Sequence, residues 1–525
     1  MSSSVENING NASVDHDELA SPPPIGPKGT IESGTERQTF LQKVKHALKK
    51  NAKPERPVGD APGFWQGIKA IVFGSWLNLL LVCIPISWAV HFAVPGTPLL
   101  IFVFSFLAII PLAKLLAIAT DELSMRVGQT MAGLLNATLG NAVELIVAII
   151  AIVKCELQIT QSSLVGSILS NLLLVLGMCF FAGGMKYSEQ GFGASATQIN
   201  ASLLTISVIA VLLPAAFHLS VQPDPNGDDP LTNGAEGSDI LKMSHGVAVI
   251  LLFIYVAYLV FQLWSHANLF DDNLAFTSTR YGAPVKKSLR TLRRRVLHPR
   301  HAREKTLDGQ NGDATGVELE ANHEEHEEDD VEVPTMSVAM CIGLLVAVTV
   351  LVAVTAEFLV DSINGVNEQF PALKKEWVGL ILLPIAGNAA EHVTAVAVAV
   401  KDKLNLSIGV AVGSSIQIAL FVIPLMVVIA WILGKPLLML FDPFESVTLF
   451  LAVLTVNYCV QDGKSNWLEG MILMCKWSPY CSNFGATGPR VYTASFLFAA
   501  LYVIVAVCFW FYPGSDIQTV LATCT

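Results

Sequence analysis

Gly140-Asn141-Ala142-Val143-Glu144 lies inside an apolar run and returns, in a second apolar run, as Gly387-Asn388-Ala389-Ala390-Glu391. A second element follows each copy. Val165-Gly166-Ser167 answers to Val412-Gly413-Ser414, at the same distance behind the glutamate in both cases. A fainter third element precedes them, Thr120-Asp121-Glu122 against Thr355-Ala356-Glu357. Apolar helices share small residues by chance, but not Asn and Glu in a common register, so the chain holds a duplicated unit. Each copy contains about five apolar runs. An odd number makes the second copy enter the membrane from the opposite side, and the repeats are then inverted.

The composition around these stretches supports that reading. The 525 residues are 53% hydrophobic and 14% charged, with mean hydropathy +0.55, too apolar and too blocky for an ordinary soluble domain. The runs are about 20 residues long, enough to cross a hydrocarbon layer of about 30 Å as helices. A strand barrel would show alternation in shorter segments instead. The expected fold is an all-α polytopic membrane protein of about 11 transmembrane helices, one N-terminal helix plus two inverted five-helix repeats. Spans are predicted near 69–93, 97–119, 129–153, 159–182, 198–217, 245–268, 337–360, 374–400, 404–433 and 441–460, with an eleventh near the C terminus.

The segments read as follows: 1–66 a disordered cytoplasmic tail without the shape of a signal peptide, 67–95 the first transmembrane helix, and 96–268 the first repeat. A cytoplasmic linker, basic then acidic, covers 269–335; the second repeat covers 336–513 and a tail 514–525. The net charge of −11 sits mostly in the soluble segments and says little about the path through the membrane. Nine cysteines are scattered without a CxxC pair, which argues against a zinc or redox motif, and most of them read as membrane packing residues. Lys43, Lys45, Lys49, Lys50, Lys53 and Arg56 precede the first span, and Arg290, Arg293, Arg294, Arg295, Arg300 and Arg303 follow the sixth. Basic flanks mark the cytoplasmic face, so the N terminus is cytoplasmic and, after eleven spans, the C terminus lumenal.

An ionisable side chain at the bilayer centre costs at least about 2.5 to 3.5 kcal/mol, so two intramembrane glutamates call for compensation. A hard divalent cation supplies it. Ca2+ takes about 6 to 8 oxygen ligands, and carboxylates, amides, hydroxyls and freed carbonyls all serve. Asn and Glu three residues apart share a helix face, placing Asn141 beside Glu144 and Asn388 beside Glu391. Glycine before each Asn, and Pro384 before the second copy, predict local breaks that release carbonyls toward an ion. Ser167, Ser170, Asn171, Ser414, Ser415 and Gln417 are candidates to complete the ligand shell or line the path. Without the cation, two facing desolvated carboxylates repel one another and favour protonation, so cation and protons compete for one site. Hard divalents share ligands, which leaves Mn2+ transport and a Na+-driven exchange open. A gated cation channel is the rival of another class. No HExxH, paired nucleophile or nucleotide loop suggests an enzyme, and no cofactor is expected. The basic stretch Lys286–Arg303 reads as a topology signal with attraction to anionic membrane lipid rather than to nucleic acid. Homo-oligomer formation stays open.

At these residues the chain resembles the calcium/proton exchanger family, within the cation/Ca2+ exchanger superfamily. Leu135-Asn136-Ala137-Thr138-Leu139-Gly140-Asn141-Ala142-Val143-Glu144-Leu145-Ile146-Val147 and Gly387-Asn388-Ala389-Ala390-Glu391-His392-Val393-Thr394-Ala395 look like that family's two signature repeats. The resemblance runs from about Phe73 to Asp462, is nearest to fungal vacuolar members, and implies uptake of cytosolic Ca2+ into an acidic store. It implies that Glu144 and Glu391 bind the cation with Asn141 and Asn388 beside them, and that Glu122 and Glu357 assist proton or cation passage. It also implies that Glu324, Glu325, Glu327, Glu328, Asp329 and Asp330 form the family's regulatory acidic motif, where composition alone reads a solvated charge run. For Glu122 and Glu357, near span ends, an interfacial or ion-paired role stands beside transport. His392 points about 100° away from Glu391 around the helix, so a packed neutral ring stands beside a proton relay. The chain departs from the family at 476–500, which interrupts the last apolar run. That stretch is hypothesised to be intron-derived, and a mature transcript retaining it would refute the idea.

Overall fold

The computed structural model describes residues 59, 62–94, 96–127, 129–220, 234–270, 278–281, 334–474, 500–514 and 524, all in one compact unit, Leu48–Thr525. The N-terminal tail, nearly all of the 269–335 linker with its acidic run, and most of 476–500 lie outside the described residues.

The first apolar segment is not one smooth helix. Helix α1 (Phe64–Phe73) stops at Gly74, and a 3-10 turn over Trp76–Val82 leads into α2 (Cys83–Ala93). Ser75 Oγ accepts from Leu77 N at the break and also from Lys114 Nζ at 2.6 Å. This ties the break to α3 (Pro98–Ser124), the helix that carries Asp121 and Glu122. The first signature is split between α4 (Gln129–Leu139) and α5 (Ala142–Val153), with Gly140 and Asn141 outside both helices. Helix α6 (Leu157–Leu169) continues through a π turn, Ser170–Val175, into α7 (Leu176–Gly184). Two long helices follow, α8 (Ala194–Ser220) and α9 (Gly234–Val260).

The second copy begins with α10 (Val338–Gln369). A π turn, Val378–Leu382, precedes α11 (Leu383–Val400), which runs unbroken through Gly387, Asn388 and Glu391. The break expected at Gly387 is therefore absent: the helix is continuous over Lys375–Val400, and the irregularity lies upstream in the π turn that ends just before Pro384, where the altered hydrogen-bond ladder accommodates the missing N–H. Helix α12 (Leu404–Gln417), the π turn Ile418–Val422 and α13 (Ile423–Ile432) mirror α6, Ser170–Val175 and α7 in the same register. Both of these π turns begin within a turn after the Val-Gly-Ser elements. Helices α14 (Pro443–Cys459), α15 (Trp467–Met474) and α16 (Ala500–Phe511) complete the described helices.

Among the described residues, eight helices are long and apolar enough to cross a membrane, and Ala142–Val153, Pro443–Cys459 and Leu501–Phe511 are shorter apolar helices. Outward faces are apolar: Val249, Ile250, Phe253, Val256 and Val260 on α9, and Ile342, Val346 and Val350 on α10, are exposed at helical spacing. Lipid accepts such faces. It also supplies no hydrophobic drive between helices, so they meet by close packing of small residues. A methyl on Gly166 would lie 2.1 Å from the Leu380 carbonyl oxygen, and one on Gly470 2.2 Å from the Phe181 nitrogen. Backbone touches backbone at both places.

Interhelical segments gather at two ends. At one, β1 (Tyr187–Gly191) pairs antiparallel with β2 (Thr279–Arg280) and β3 (Lys464–Ser465), and Gln190 Nε2 donates to Asp402 Oδ1. At the other, Lys375 pairs with Glu156 at 3.1 Å, Gln158 Nε2 donates to Glu376 Oε1, and Tyr512 OH donates to Asp442 Oδ2. Cys155 is disulfide-bonded to Cys524 there, which corrects the reading of these two cysteines as packing residues. Cys155, the second residue after α5, and Cys524 lie 5.9 Å apart between Cα atoms, near enough for the bond that sequence spacing cannot reveal.

Candidate cation site

The break between α4 and α5 sets Asn141 at the cap of α5 in a non-helical conformation, and Glu144 in the first turn beyond it. An anionic side chain is favoured at that helix end by the macrodipole. Glu391 sits instead in mid-helix on α11, and α11 packs against both α5 and α3. The two glutamates meet at this crossing. A methyl on Gly387, one turn before Glu391, would lie 2.8 Å from Glu144 Oε1, and the two carboxylates are within electrostatic reach of each other. Glu144 Oε1 and Glu391 Oε2 are sealed from solvent and have no hydrogen-bond partner, and Asn388 Nδ2 is in the same condition. Sealed carboxylate oxygens without donors are costly unless a cation or a proton occupies them.

Both polar atoms of the Asn141 amide are bonded. Its Nδ2 donates to Gln417 Oε1 at 2.6 Å, while its Oδ1 accepts from Ser414 Oγ at 2.7 Å; Ser414 in turn accepts from Asn171 Nδ2 at 3.2 Å. These bonds join the first signature to the second Val-Gly-Ser helix, so residues from both copies form one polar network. Ser170 Oγ lies 3.3 Å from His392 Nε2, and His392 is buried. Ser167 lines a small cavity beside Glu144, together with Ser163, Leu359, Pro384 and Gly387. Ser415 turns to its own helix and donates to Ala411 O. Among the described residues no cluster of three or more His, Cys, Asp or Glu is arranged to hold a metal. The donor set at the crossing is two carboxylates supplemented by amide and hydroxyl oxygens, which suits a hard cation.

Glu122 and Glu357 lie apart from this crossing. Glu122 is buried, and its Oε1 accepts from Thr335 N at 2.9 Å and from the Thr335 hydroxyl; Arg126 lies 3.8 Å from its other oxygen and donates to Met336 O. The carboxylate thereby fastens the entry of α10 to the end of α3. Glu357 is half-exposed and bonds Lys154 at 2.9 Å, with Asp361 on the same ammonium at 3.0 Å. Hydrogen bonds to Glu357 and then Asp361 hold the Lys154 ammonium above its usual pKa range.

The sodium/calcium exchanger protein family matches residues 97–264 and 340–483, the two stretches that carry this site. The chain belongs to the sodium/calcium exchanger protein family. Within that family it is 50% identical over 503 residues to a vacuolar calcium ion transporter of Cryptococcus neoformans var. grubii, covering 89% of this chain and 79% of the relative. It is 36% identical over 435 residues to a Ca(2+)/H(+) antiporter of Synechocystis, covering 83% of this chain and 97% of that one. Among solved structures, the selenium-substituted Ca2+/H+ antiporter protein YfkE is 27% identical with a TM-score of 0.56, covering 83% of this chain and 98% of that one.

Two features of this exchanger-family site escape a reading of the sequence. Asp121 lies within electrostatic reach of Glu391, although the repeat comparison singles out its neighbour Glu122. Its only signal is adjacency, because the duplicate carries Ala356 in its place. Ser163 lines the Glu144 cavity although it lies outside the repeated Val-Gly-Ser element.

Proposed function

We propose that this chain is a secondary active antiporter that exchanges Ca2+ for H+ and loads cytosolic Ca2+ into an acidic vacuole. The observation that carries this reading is the pair of sealed, partnerless oxygens, Glu144 Oε1 and Glu391 Oε2, meeting at one helix crossing. Ca2+ satisfies both carboxylates at once. When it leaves, repulsion and desolvation favour protons in its place, which makes exchange the chemistry of a single site. The name of the Cryptococcus relative gives vacuolar calcium ion transport, and that of the Synechocystis relative gives Ca(2+)/H(+) antiport, in support of this reading.

In this reading Asn141 and Asn388 join the two glutamates as ligands, with Ser167, Ser170, Asn171, Ser414 and Gln417 shaping the shell or the approach. The eight long and three shorter apolar helices make eleven crossings, arranged as one helix plus two inverted repeats. The matching π turns and the polar network between copies support that arrangement. The β1–β3 end faces the cytosol, and the end holding Cys155 and Cys524 faces the lumen. Mn2+ is a further candidate cargo.

The test is Ca2+ uptake into proteoliposomes driven by an inside-acid pH gradient. Uptake is expected to collapse with the gradient and in Glu144→Gln and Glu391→Gln, and to proceed without Na+. Flux that persists through both substitutions, or that follows a Na+ gradient instead, overturns the proposal.

A further inference from the structure

A second carboxylate is buried more completely than either glutamate of the cation site. Glu445, in the first turn of α14, is 1% exposed, and Ser162 Oγ on α6 donates to its Oε1 at 2.5 Å. Two further acids lie within electrostatic reach of it, Asp442 on its own element and Glu376 on the turn before Val378. The amides at the start of α14 give it no help, since Phe444 N and Glu445 N donate to Asp442 Oδ1. Lys375 is paired with Glu156, and Lys374 Nζ donates to Tyr512 O. Of the elements packed on α14, α8 brings His218 in its last turn and α15 brings Glu469, which accepts from Asn466 Nδ2; Tyr512, just past α16, packs on Phe444 and donates to Asp442 Oδ2, and α6 and the π turn Ser170–Val175 bring no titratable group. No cation pairs with Glu445 among the described residues. A sealed carboxyl facing two anions is packed as the neutral acid, because an ionised one would forfeit hydration without an opposite charge in return.

Ser162 connects this acid to the transport site. The next residue, Ser163, and Ser167 one turn later line the cavity beside Glu144. On the same stretch Gln161 Nε2 donates to Leu438 O and Leu440 O, holding a buried non-helical strap against α6. One side of α6 is thus a wall of the cation cavity, and the other is fastened to the strap and to Glu445. The opposite copy has no such device. The register that aligns Gly166 with Gly413 puts Gly409 in the place of Ser162, and the first turn of α8 contains no acid.

We propose that Glu445 is a proton-holding positioning residue, which couples the acidity at one mouth of the protein to the placement of α6 and so to the wall of the cation cavity. The proposal rests on the antiport reading and adds a second pH-sensitive group to it. Ser162 donates to this carboxyl, a bond that strengthens when the acid ionises, while Asp442 and Glu376 resist the added charge, so the proton on Glu445 sets how firmly α6 is held against α14.

The experiment uses the full chain in proteoliposomes, oriented with the β1–β3 end outward, at constant external pH with the interior stepped from about pH 5.5 to about 7.5. The ratio of variant to wild-type Ca2+ uptake at each step removes the driving force common to both. For Glu445→Gln this ratio is expected to change at least about threefold across the range, with the external Ca2+ KM unchanged. Glu445→Asp is expected to restore the wild-type dependence, and Ser162→Ala to shift it in the same sense as the Gln variant. Flat ratios for both Glu445→Gln and Ser162→Ala overturn the proposal. Should Glu445→Gln fail to fold, Ser162→Ala alone decides, since it leaves the acid in place. A wild-type protein without gradient-driven uptake would refute the antiport reading instead, which keeps the two failures distinct.

Discussion

Asn141 and Asn388 occupy equivalent positions in the repeat, yet their side chains are engaged differently. Asn141 exchanges hydrogen bonds with Gln417 and Ser414, whereas Asn388 Nδ2 has no partner. Removing the first amide strands the buried Ser414 hydroxyl and the part-buried Gln417 amide, at a cost of about 1–3 kcal/mol. Removing the second strands none of the described groups through that nitrogen. Asn141→Ala is therefore expected to lower both the thermal midpoint of the detergent-solubilised protein and Ca2+ transport. Asn388→Ala should raise the Ca2+ KM while leaving the midpoint near wild type. Equal midpoint losses in the two variants would contradict this division.

At the scale of elements, the same register conceals a difference between the two Val-Gly-Ser helices. A methyl on Gly166 meets the Leu380 carbonyl oxygen at 2.1 Å, whereas one on Gly413 meets nothing within 4 Å. Backbone cannot step aside as a flexible side chain can. Gly166→Ala must push α6 away from the Val378–Leu382 turn, and overpacking of this kind costs roughly 1–3 kcal/mol or more. Gly413→Ala should fold as the wild type does. Size-exclusion profiles after a heating series separate the two, and a Gly413→Ala protein that is the less stable one would refute the steric account. The displaced turn leads directly into Pro384 and Gly387, so Gly166→Ala is also expected to slow transport by moving the wall beside Glu144.

Across the whole molecule, the contacts divide the connecting segments into two ends. The three β strands, drawn from widely separated parts of the chain, lie at one end, and the Cys155–Cys524 bond lies at the other. The chain's own C-terminal tail is thereby tied to the far side of α5, the helix that carries Glu144. Protein purified without reductant should migrate differently on a denaturing gel before and after reduction, and Cys524→Ser should abolish the difference. A wild-type band that does not respond to reduction would contradict the tie. If it is present, the variant should also unfold at lower temperature, because a cross-link spanning so much chain restricts the unfolded state.

The sequence by itself determined the helical membrane class and singled out the repeated signature with its two glutamates as candidates, since apolar run length and a shared register of Asn and Glu are local properties that survive without coordinates. It could not determine what each copy's residues would touch. Asn141 bonds the opposite copy, Glu122 holds Thr335, Glu357 meets Lys154, and the first signature breaks at Gly140 while the second runs unbroken through Gly387. Those outcomes depend on which helices cross and how closely, and at Gly166 and Leu380 that was decided by backbone meeting backbone in three dimensions. Glu445 belongs to the same class: in sequence it is an ordinary first-turn acid, and only the packing of α6, α14 and the strap around it makes it a sealed carboxyl without a counter-charge.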